Sequence, residues 1–281
     1  MKTTIPFTGP GSQPADPDAD DFAFMEMPKG VRTYSMPDIP EAQVAGACRP
    51  ALAKLDAALA ALRSSPQPGA SIVIDVLDLD PENRSFADQA LGEGEVSIIA
   101  GASIQAQESV LTGVWRLHTL SADGALVGDA IEIGDFPQSI LKAAHDAAGP
   151  TLRPAEGIAE SDLMNAPALA AELADKLASF APGAPAHVIN LTLLPVSDGD
   201  IAFLEQRLGQ GPVTILSRGY GNCRISSTAV KNAWRVQYFN AREACILDTI
   251  EVAGIPAVAC AAPQDLEDSA ERLAEILEVY R

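Results

Sequence analysis

The sequence predicts an α+β fold in which one unit occurs twice, each copy ordered helix, strand, helix, three strands and helix, in two similar halves with mixed sheets. Helical and strand periodicities alternate along the 281 residues. "FADQALGEGEVSI" (86–98) aligns with "FLEQRLGQGPVTI" (203–215) at an offset of 117, with 7 identities in 13 positions. "GVWRLHTLSADGALVGDAIEIGDFP" (113–137) aligns with "NAWRVQYFNAREACILDTIEVAGIP" (232–256) at an offset of 119, with 8 identities in 25. Two such copies indicate a duplication rather than a solenoid.

The elements of the first copy follow from local patterns. Leu52, Leu55, Leu59 and Leu62 share one helical face. The remaining elements are, in order, a strand "SIVIDVL", a helix "PENRSFADQALG" ended by Gly92, three strands "VSII", "GVWRLHTL" and "LVGDAIEI", and a helix "FPQSILKAAHDAAG" from Pro137 to Gly149. We expect the matched tryptophans, Trp115 and Trp234, to be equivalent core anchors.

The same order predicts four parts. Residues 1–44 form an extended Pro/Gly/acidic N-terminal segment, 45–150 the first copy, 151–160 a linker and 161–281 the second copy. The second copy opens with the helix "PALAAELADKLASF" and ends with "PQDLEDSAERLAEILEVYR", an amphipathic helix whose apolar stripe we expect to pack on that copy.

Charge and cysteine usage restrict the class of partner. The chain has 38 acidic and 19 basic residues, a net charge of −19, which opposes binding to nucleic acid or to an anionic membrane. The first residues lack a signal-peptide pattern and no stretch approaches the ~20 apolar residues of a membrane helix, so we expect a cytoplasmic protein. The four cysteines and three histidines show no metal-ligand spacing, so we expect reduced thiols, no metal and no cofactor.

The segment "SRGYGNCRISST" (217–228) gathers scarce cations in a glycine-rich stretch. The window 217–242 holds 5 of the 19 basic residues and no acid. The aligned region of the first copy is two residues shorter and has Glu108 as its only ionic side chain, so the fold does not require these arginines. Loops on a rigid scaffold often carry binding residues. The predicted client-binding residues are Arg218, Gly219, Tyr220, Gly221, Asn222, Cys223 and Arg224, supported by Arg235, Gln237 and Tyr238.

Two other interpretations of this loop stay open. It is either a tight hairpin whose arginines are solvated, or the surroundings of a reactive Cys223, because neighbouring cations lower a thiol pKa. A catalytic thiol also needs an acid–base partner, and no histidine lies nearby in the sequence. The loop is not a phosphate-binding loop, because no Gly-Lys-Ser/Thr follows it.

Longer stretches resemble a known family. "LPVSDGDIAFLEQRLGQGPVTILSRGYGNCRISSTAVKNAWRVQYFN" and "ILDTIEVAGIPAVACAAPQDLEDSAERL" resemble the C-terminal domain of the HupH/HyaF family of hydrogenase accessory proteins. "GPGSQP" and "MPKGVRTYSMPDIPE" are similar to its N-terminal part, so the likeness covers nearly the whole chain.

The resemblance implies a noncatalytic assembly chaperone for a membrane-bound uptake nickel–iron hydrogenase. Such a protein acts in the cytoplasm on the iron–sulfur small-subunit precursor before export, together with a thioredoxin-like hydrogenase chaperone. Nickel incorporation has also been associated with the family, and the sequence offers no ligand pattern for it. The alternatives are a metallochaperone or thiol-dependent enzyme in hydrogenase assembly, and a scaffold that recruits the thioredoxin-like chaperone without touching the hydrogenase.

Overall fold

The computed structural model describes residues 48–157, 163–218 and 221–280. The N-terminal segment predicted over 1–44, Gly219 and Tyr220 of the candidate loop, and the end of the predicted 151–160 linker lie outside these described residues. Among the helices of the described ranges, none combines the length and the apolar character that crossing a membrane requires.

The first half has eight elements. They are α1 (Arg49–Arg63), β1 (Ser71–Asp75), α2 (Pro81–Leu91), β2 (Val96–Ala100), β3 (Ile104–Glu108), β4 (Val114–Leu120), β5 (Leu126–Gly134) and α3 (Gln138–Asp146). Local chemistry sets the start of α2, where the Asp80 side chain accepts a hydrogen bond from the Asn83 backbone N–H at 2.8 Å and Pro81 occupies the first turn.

The second half repeats this order. It comprises α4 (Ala166–Ala178), β6 (His187–Asn190), α5 (Asp198–Leu208), β7 (Gln210–Ser217), β8 (Asn222–Thr228), β9 (Ala233–Phe239), β10 (Cys245–Val252), a short 3-10 turn (Ala257–Ala259) and α6 (Pro263–Glu278). A reciprocal cap begins α5: the Ser197 hydroxyl accepts from the Asp200 N–H, and the Asp200 carboxylate accepts from the Ser197 N–H.

The ten strands of the described residues form one sheet, in the order β1-β5-β4-β3-β2-β7-β8-β9-β10-β6. The halves join at β2 and β7, where Ile98 lies opposite Ile215. From this central pair outward, corresponding strands occupy corresponding places, and this correspondence supports the predicted duplication, which stays a prediction.

The predicted mixed sheets are wrong, because every pairing between these strands is antiparallel. Short turns connect successive strands within each half, and a short turn can only reverse the chain.

Each half also has four strands after its second helix, not the three predicted. The additional strands are β3, "IQAQE", and β8, "NCRISST". Both carry polar side chains at alternate positions, which made them resemble loops in the sequence. The α+β class itself is confirmed.

The two faces of the sheet are covered differently. We call one the α3 face, because α3 and the 3-10 turn cover its central strands; it holds a core shared by both halves that includes Ile98, Trp115, Ile215 and Trp234. The opposite side is the α2/α5 face. There, one apolar cluster lies under α1, α2 and α6, and another lies under α4 and α5.

The two tryptophans are buried in the shared core, which confirms their predicted role. Trp115 donates its indole N–H to the Gly134 carbonyl at 3.3 Å, and Trp234 donates to the Ala253 carbonyl at 3.2 Å. Each indole therefore satisfies its only polar group while filling the core.

Helix α6 does not pack on the second copy, contrary to the prediction from its stripe. The Ala261 N–H donates to the Asp135 carbonyl at 2.9 Å, which carries the chain across to the first half. Leu266, Leu273 and Leu277 then join the cluster of α1 and α2. In the opposite direction, the segment after α3 crosses to the second half, where the Arg153 N–H donates to the Arg207 carbonyl at 2.7 Å. Each half thus completes the core of the other.

Candidate functional site

The turn between β7 and β8 begins at Arg218 and lies beside the centre of the sheet. The Arg218 N–H donates to the Glu95 carbonyl at 3.2 Å, so it continues the β2–β7 pairing. Its side chain is half-buried, and its Nη2 atom is buried without a hydrogen-bond partner among the residues that the structure describes. Gly221 has φ of +95°, a left-handed conformation that favours glycine and closes the turn.

Asn222, Cys223 and Arg224 belong to strand β8, not to the turn as predicted. Because side chains alternate along a strand, the three cannot form one cluster. Asn222 and Arg224 are exposed on the α2/α5 face, whereas Cys223 is buried in the core of the α3 face. The sheet therefore divides the predicted client-binding residues between its two sides.

Cys223 is held as a neutral thiol. Burial raises the pKa of its thiol by more than the hydrogen bond with Tyr238 lowers it, and the nearby Glu251 carboxylate adds a smaller increase. Tyr238 lies directly opposite on β9, and burial together with this thiol raises the pKa of Tyr238 to about 12. The expectation that neighbouring arginines lower the thiol pKa is wrong, because Arg224 projects to the other face of the sheet.

Arg224 presents its guanidinium to solvent. The group lies over the Phe239 ring, with Cζ 5.2 Å from the ring centroid, and makes no hydrogen bond or ion pair to another residue of the described ranges. Gln237 lies directly opposite on β9, where its Nε2 donates to Asp248 at 3.2 Å. A guanidinium stacked by its face keeps its N–H donors free for a carboxylate or carbonyl.

Arg235 is part of the internal scaffold and not of this exposed group. It pairs with Glu205 of α5 and donates to Asp248 of β10 at 2.7 Å and 3.0 Å. The hydrogen bonds that Arg235 donates to Asp248 raise the pKa of Arg235, so the residue stays charged. Arg235 thus ties α5 to the sheet, and its predicted supporting role in client binding stays a prediction.

The first half has a matching cluster of ion pairs, which was not predicted from the sequence. Arg116 lies 2.8 Å from Asp88 of α2 and 2.7 Å from Asp129 of β5, and Arg84 approaches Asp129 from the other side at 2.9 Å. The signal was present: Trp-Arg occurs at 115–116 and 234–235, and both copies have an aspartate 13 residues after the arginine.

Between these two clusters, the α2/α5 face is open. The side chains that β3, β2, β7, β8 and β9 present there are half-buried or exposed, and we call them the open floor: Ser97, Ile99, Gln105, Gln107, Thr214, Leu216, Arg224, Ser226 and Gln237. Ser97 donates to Gln107 at 2.7 Å, which fixes part of this surface. Arg224 is its only cation, and the corresponding position of β3 holds Gln105.

Glu108 is a buried residue of β3 and not part of a loop. It lies opposite Trp115, and its carboxylate accepts from the Gly113 N–H at 3.4 Å. Burial raises the pKa of Glu108 to about 7, so near neutral pH a small change in pH changes the charge of its carboxyl group.

The other thiols differ in accessibility. Cys245 is exposed at the start of β10, whereas Cys48 is buried and Cys260 is partly buried. Burial, together with Asp135, raises the pKa of Cys260 to about 12. No group of three His, Cys, Asp or Glu side chains within the described residues is placed to hold a metal ion.

Comparison with known proteins decides the family. The model of the "HupH hydrogenase expression protein, C-terminal conserved region" matches twice, over residues 46–160 and 163–280. The chain belongs to the HupH family. A HupH relative from Rhodobacter capsulatus, a hydrogenase expression/formation protein, is 46% identical over 279 residues, which cover 97% of this chain and 96% of the relative.

Two further HupH relatives match over nearly their whole length. The hydrogenase expression/formation protein HoxQ of Cupriavidus necator is 45% identical and covers 96% of this chain and 94% of its own. The hydrogenase-1 operon protein HyaF of Escherichia coli is 31% identical, with 98% and 96% covered. A solved structure of the hydrogenase expression protein HupH from Thiobacillus denitrificans is 31% identical, covers 41% of this chain and 93% of its own, and gives a TM-score of 0.36.

Proposed function

We propose that this protein is a noncatalytic assembly chaperone in the maturation of a membrane-bound uptake nickel–iron hydrogenase, and that it holds the iron–sulfur small-subunit precursor in the cytoplasm before export. The names of the relatives, hydrogenase expression/formation proteins, support a role in hydrogenase maturation. The precursor as client and the chaperone mode of action are inferences from the family resemblance and the geometry of β8.

The observation that carries the proposal is Arg224, exposed and stacked on Phe239 at the edge of the open floor. Arginine and aromatic side chains are the residue types that most often anchor protein interfaces. The matched strand of the other half carries Gln105 at this position, so the fold does not require a cation there. A stacked arginine with free donors is a suitable anchor for a client carboxylate.

The thiol-enzyme alternative requires a thiolate at Cys223. The position of that thiol, buried opposite Tyr238 with a raised pKa, opposes ionisation and access by a substrate.

The metallochaperone alternative is tested by elemental analysis of protein purified without oxygen. One nickel or one iron–sulfur cluster per chain would replace the chaperone proposal with that alternative.

Capture of the precursor tests the proposal directly. The full chain, carrying an affinity tag, is used to bind the small-subunit precursor from hydrogenase-expressing cells, as wild type and as Arg224→Glu alone and with Arg218→Glu. Loss of one arginine that becomes buried in an interface costs about 2 kcal/mol of binding, so we expect at least about thirtyfold weaker capture. Arg49→Glu, an equal charge reversal on the exposed start of α1, is the matched control.

Three results would contradict the proposal. The first is that the wild-type protein captures no hydrogenase subunit. The second is that the folded Arg218→Glu, Arg224→Glu double variant captures the precursor as well as the control does. Wild type that retains the thioredoxin-like chaperone but no hydrogenase subunit would favour the scaffold alternative.

A further inference from the structure

The open floor has a wall on each side. Helix α2 lies over β4 and β5, to which Asp88 and Arg84 tie it through Arg116 and Asp129. Helix α5 lies over β9 and β10, to which Glu205 ties it through Arg235. Strands β3, β2, β7 and β8 lie between these walls, and their side chains form the bottom of a groove.

The width of this groove follows from the strand spacing. Because α2 lies over β4 and β5 and α5 over β9 and β10, about six inter-strand intervals of about 4.8 Å separate the two helix axes, or about 29 Å. Subtracting one helix diameter of about 10 Å leaves about 19 Å. A gap of this size accommodates a single α-helix with its side chains.

The chemistry of the floor is amphipathic and asymmetric. Ile99 and Leu216 supply apolar area near the middle, and glutamine, serine and threonine side chains surround them. The exposed Arg224 gives a positive charge to the half of the floor built by the second copy, whereas Gln105 makes the matching position of the first half neutral. The carboxylates beside the floor, Asp88, Glu205 and Asp248, are engaged by Arg116 and Arg235. An acidic group of a ligand is therefore attracted to the β8 side of the groove.

We propose that this groove between α2 and α5 binds one amphipathic α-helix of the hydrogenase client, with a carboxylate of that helix on Arg224. The inference rests on the proposed function and adds the shape and orientation of the ligand. The apolar side of the helix covers Ile99 and Leu216, and its acidic residue lies on the β8 side. A helix laid in a groove is recognised by side chains at positions i, i+3, i+4 and i+7.

Filling the groove tests this placement without changing Arg224. Thr214→Trp, at the centre of the floor, and Gln105→Trp, at an exposed position on β3, each place a large side chain where the helix would lie. Both are strand positions that accept an aromatic residue. We expect each to weaken capture of the small-subunit precursor at least tenfold, whereas Gln264→Trp on the exposed start of α6 leaves it unchanged. Circular dichroism and thermal unfolding establish that each variant is folded.

Photo-crosslinking identifies the occupant. A benzoylphenylalanine at Gln105 or Gln237 is expected to attach to residues of one client segment spaced three or four apart, with an acidic residue among them; at Gln264 it is expected to attach to none.

The outcomes separate the two proposals. If wild type captures the precursor and folded Thr214→Trp and Gln105→Trp capture it equally well, the groove inference is wrong while the proposed function stands. Cross-links from the groove only to a second copy, or only to residues 1–47 of the same chain, would also overturn the groove inference. If wild type captures no client, the proposed function itself fails.

Discussion

Arg116 and Arg235 occupy corresponding positions on β4 and β9, and each links an acid on a helix to an acid on the neighbouring strand. Arg116 joins Asp88 to Asp129, and Arg235 joins Glu205 to Asp248. These links fix α2 and α5 over the sheet and so define the width of the groove. The first link is the more buried one, since the Asp129 side chain is 0% exposed and that of Asp248 is 17% exposed.

Replacing the two arginines should therefore have unequal effects. Arg116→Met leaves the buried Asp129 with Arg84 at 2.9 Å and the His118 imidazole at 3.5 Å, and breaking a buried pair costs about 3–5 kcal/mol. Arg235→Met should lower the free energy of unfolding by at most about 1 kcal/mol, because water can reach its partners. Urea unfolding followed by circular dichroism measures both. Equal losses in the two variants would show that burial does not distinguish the clusters.

Glu108 should make stability depend on pH. Its folded-state pKa of about 7 lies above the ordinary value of 4.5, so the neutral carboxyl is favoured by folding. This contribution is fully present below pH 4.5 and is lost as the pH rises through about 7. Glu108→Gln removes the dependence, and at pH 8 the variant should be more stable than wild type by about 3 kcal/mol.

Urea midpoints of wild type and Glu108→Gln at pH 5, 6, 7 and 8 measure this difference. The gap in unfolding free energy between the two proteins should widen from pH 5 to pH 7 and then level off, as the buried wild-type carboxylate becomes fully charged. A gap that stays constant across this range would mean that Glu108 ionises normally in the folded protein.

Thiol labelling should distinguish the exposed Cys245 from the buried Cys223. We expect Cys245, which is exposed, to react with a thiol reagent within the first phase at pH 8. Cys223 should react only through opening of the sheet, because its thiol is buried and its pKa is raised. Cys245→Ser should remove the fast phase, and Cys223→Ser should leave it intact. Fast modification of Cys223 in the native protein would restore the thiol-enzyme alternative.

Much of this architecture could be predicted because it depends on local pattern. Leu55, Leu59 and Leu62 marked α1, and the matched Trp115 and Trp234 marked the shared core. The sheet pairing could not be predicted in the same way. Nothing in the local sequence of β2 or β7 indicates that these strands pair with each other, so one continuous sheet was not expected.

The candidate site was likewise predictable in its local sequence features and not in its three-dimensional arrangement. The unusual cations of 217–242 were visible in the sequence, and Arg224 is indeed exposed. Which side of the sheet each one faces depends on whether the segment is a turn or a strand, and the alternating polar residues of β8 resembled a turn. The links of Arg116 and Arg235 join residues far apart in the sequence, so only a comparison of the two copies could have suggested them.

Helix α6 should be needed for the stability of the first half. Leu273 is 0% exposed within the cluster of α1 and α2, so Leu273→Ala should cost about 2–5 kcal/mol. Hydrogen exchange should quicken at the amides of α1, although the substitution lies more than 200 residues away in the sequence. Leu173→Ala in α4 is the matched control, since it should quicken exchange in the second half. Faster exchange confined to α4 and α5 in the Leu273 variant would contradict this packing.

The crossing of α6 also determines when the protein can fold during its synthesis. Helix α1 ends at Arg63 and α6 begins at Pro263, so the ribosome adds the 199 residues 64–262 between them. At about 5–20 residues per second, this takes about 10–40 s. Throughout that interval the leucine stripe of α1 lacks one of the helices that cover it. A nascent chain with an uncovered apolar surface is a substrate for general folding factors, so the protein that we propose to protect a hydrogenase precursor passes through a period in which it needs the same protection.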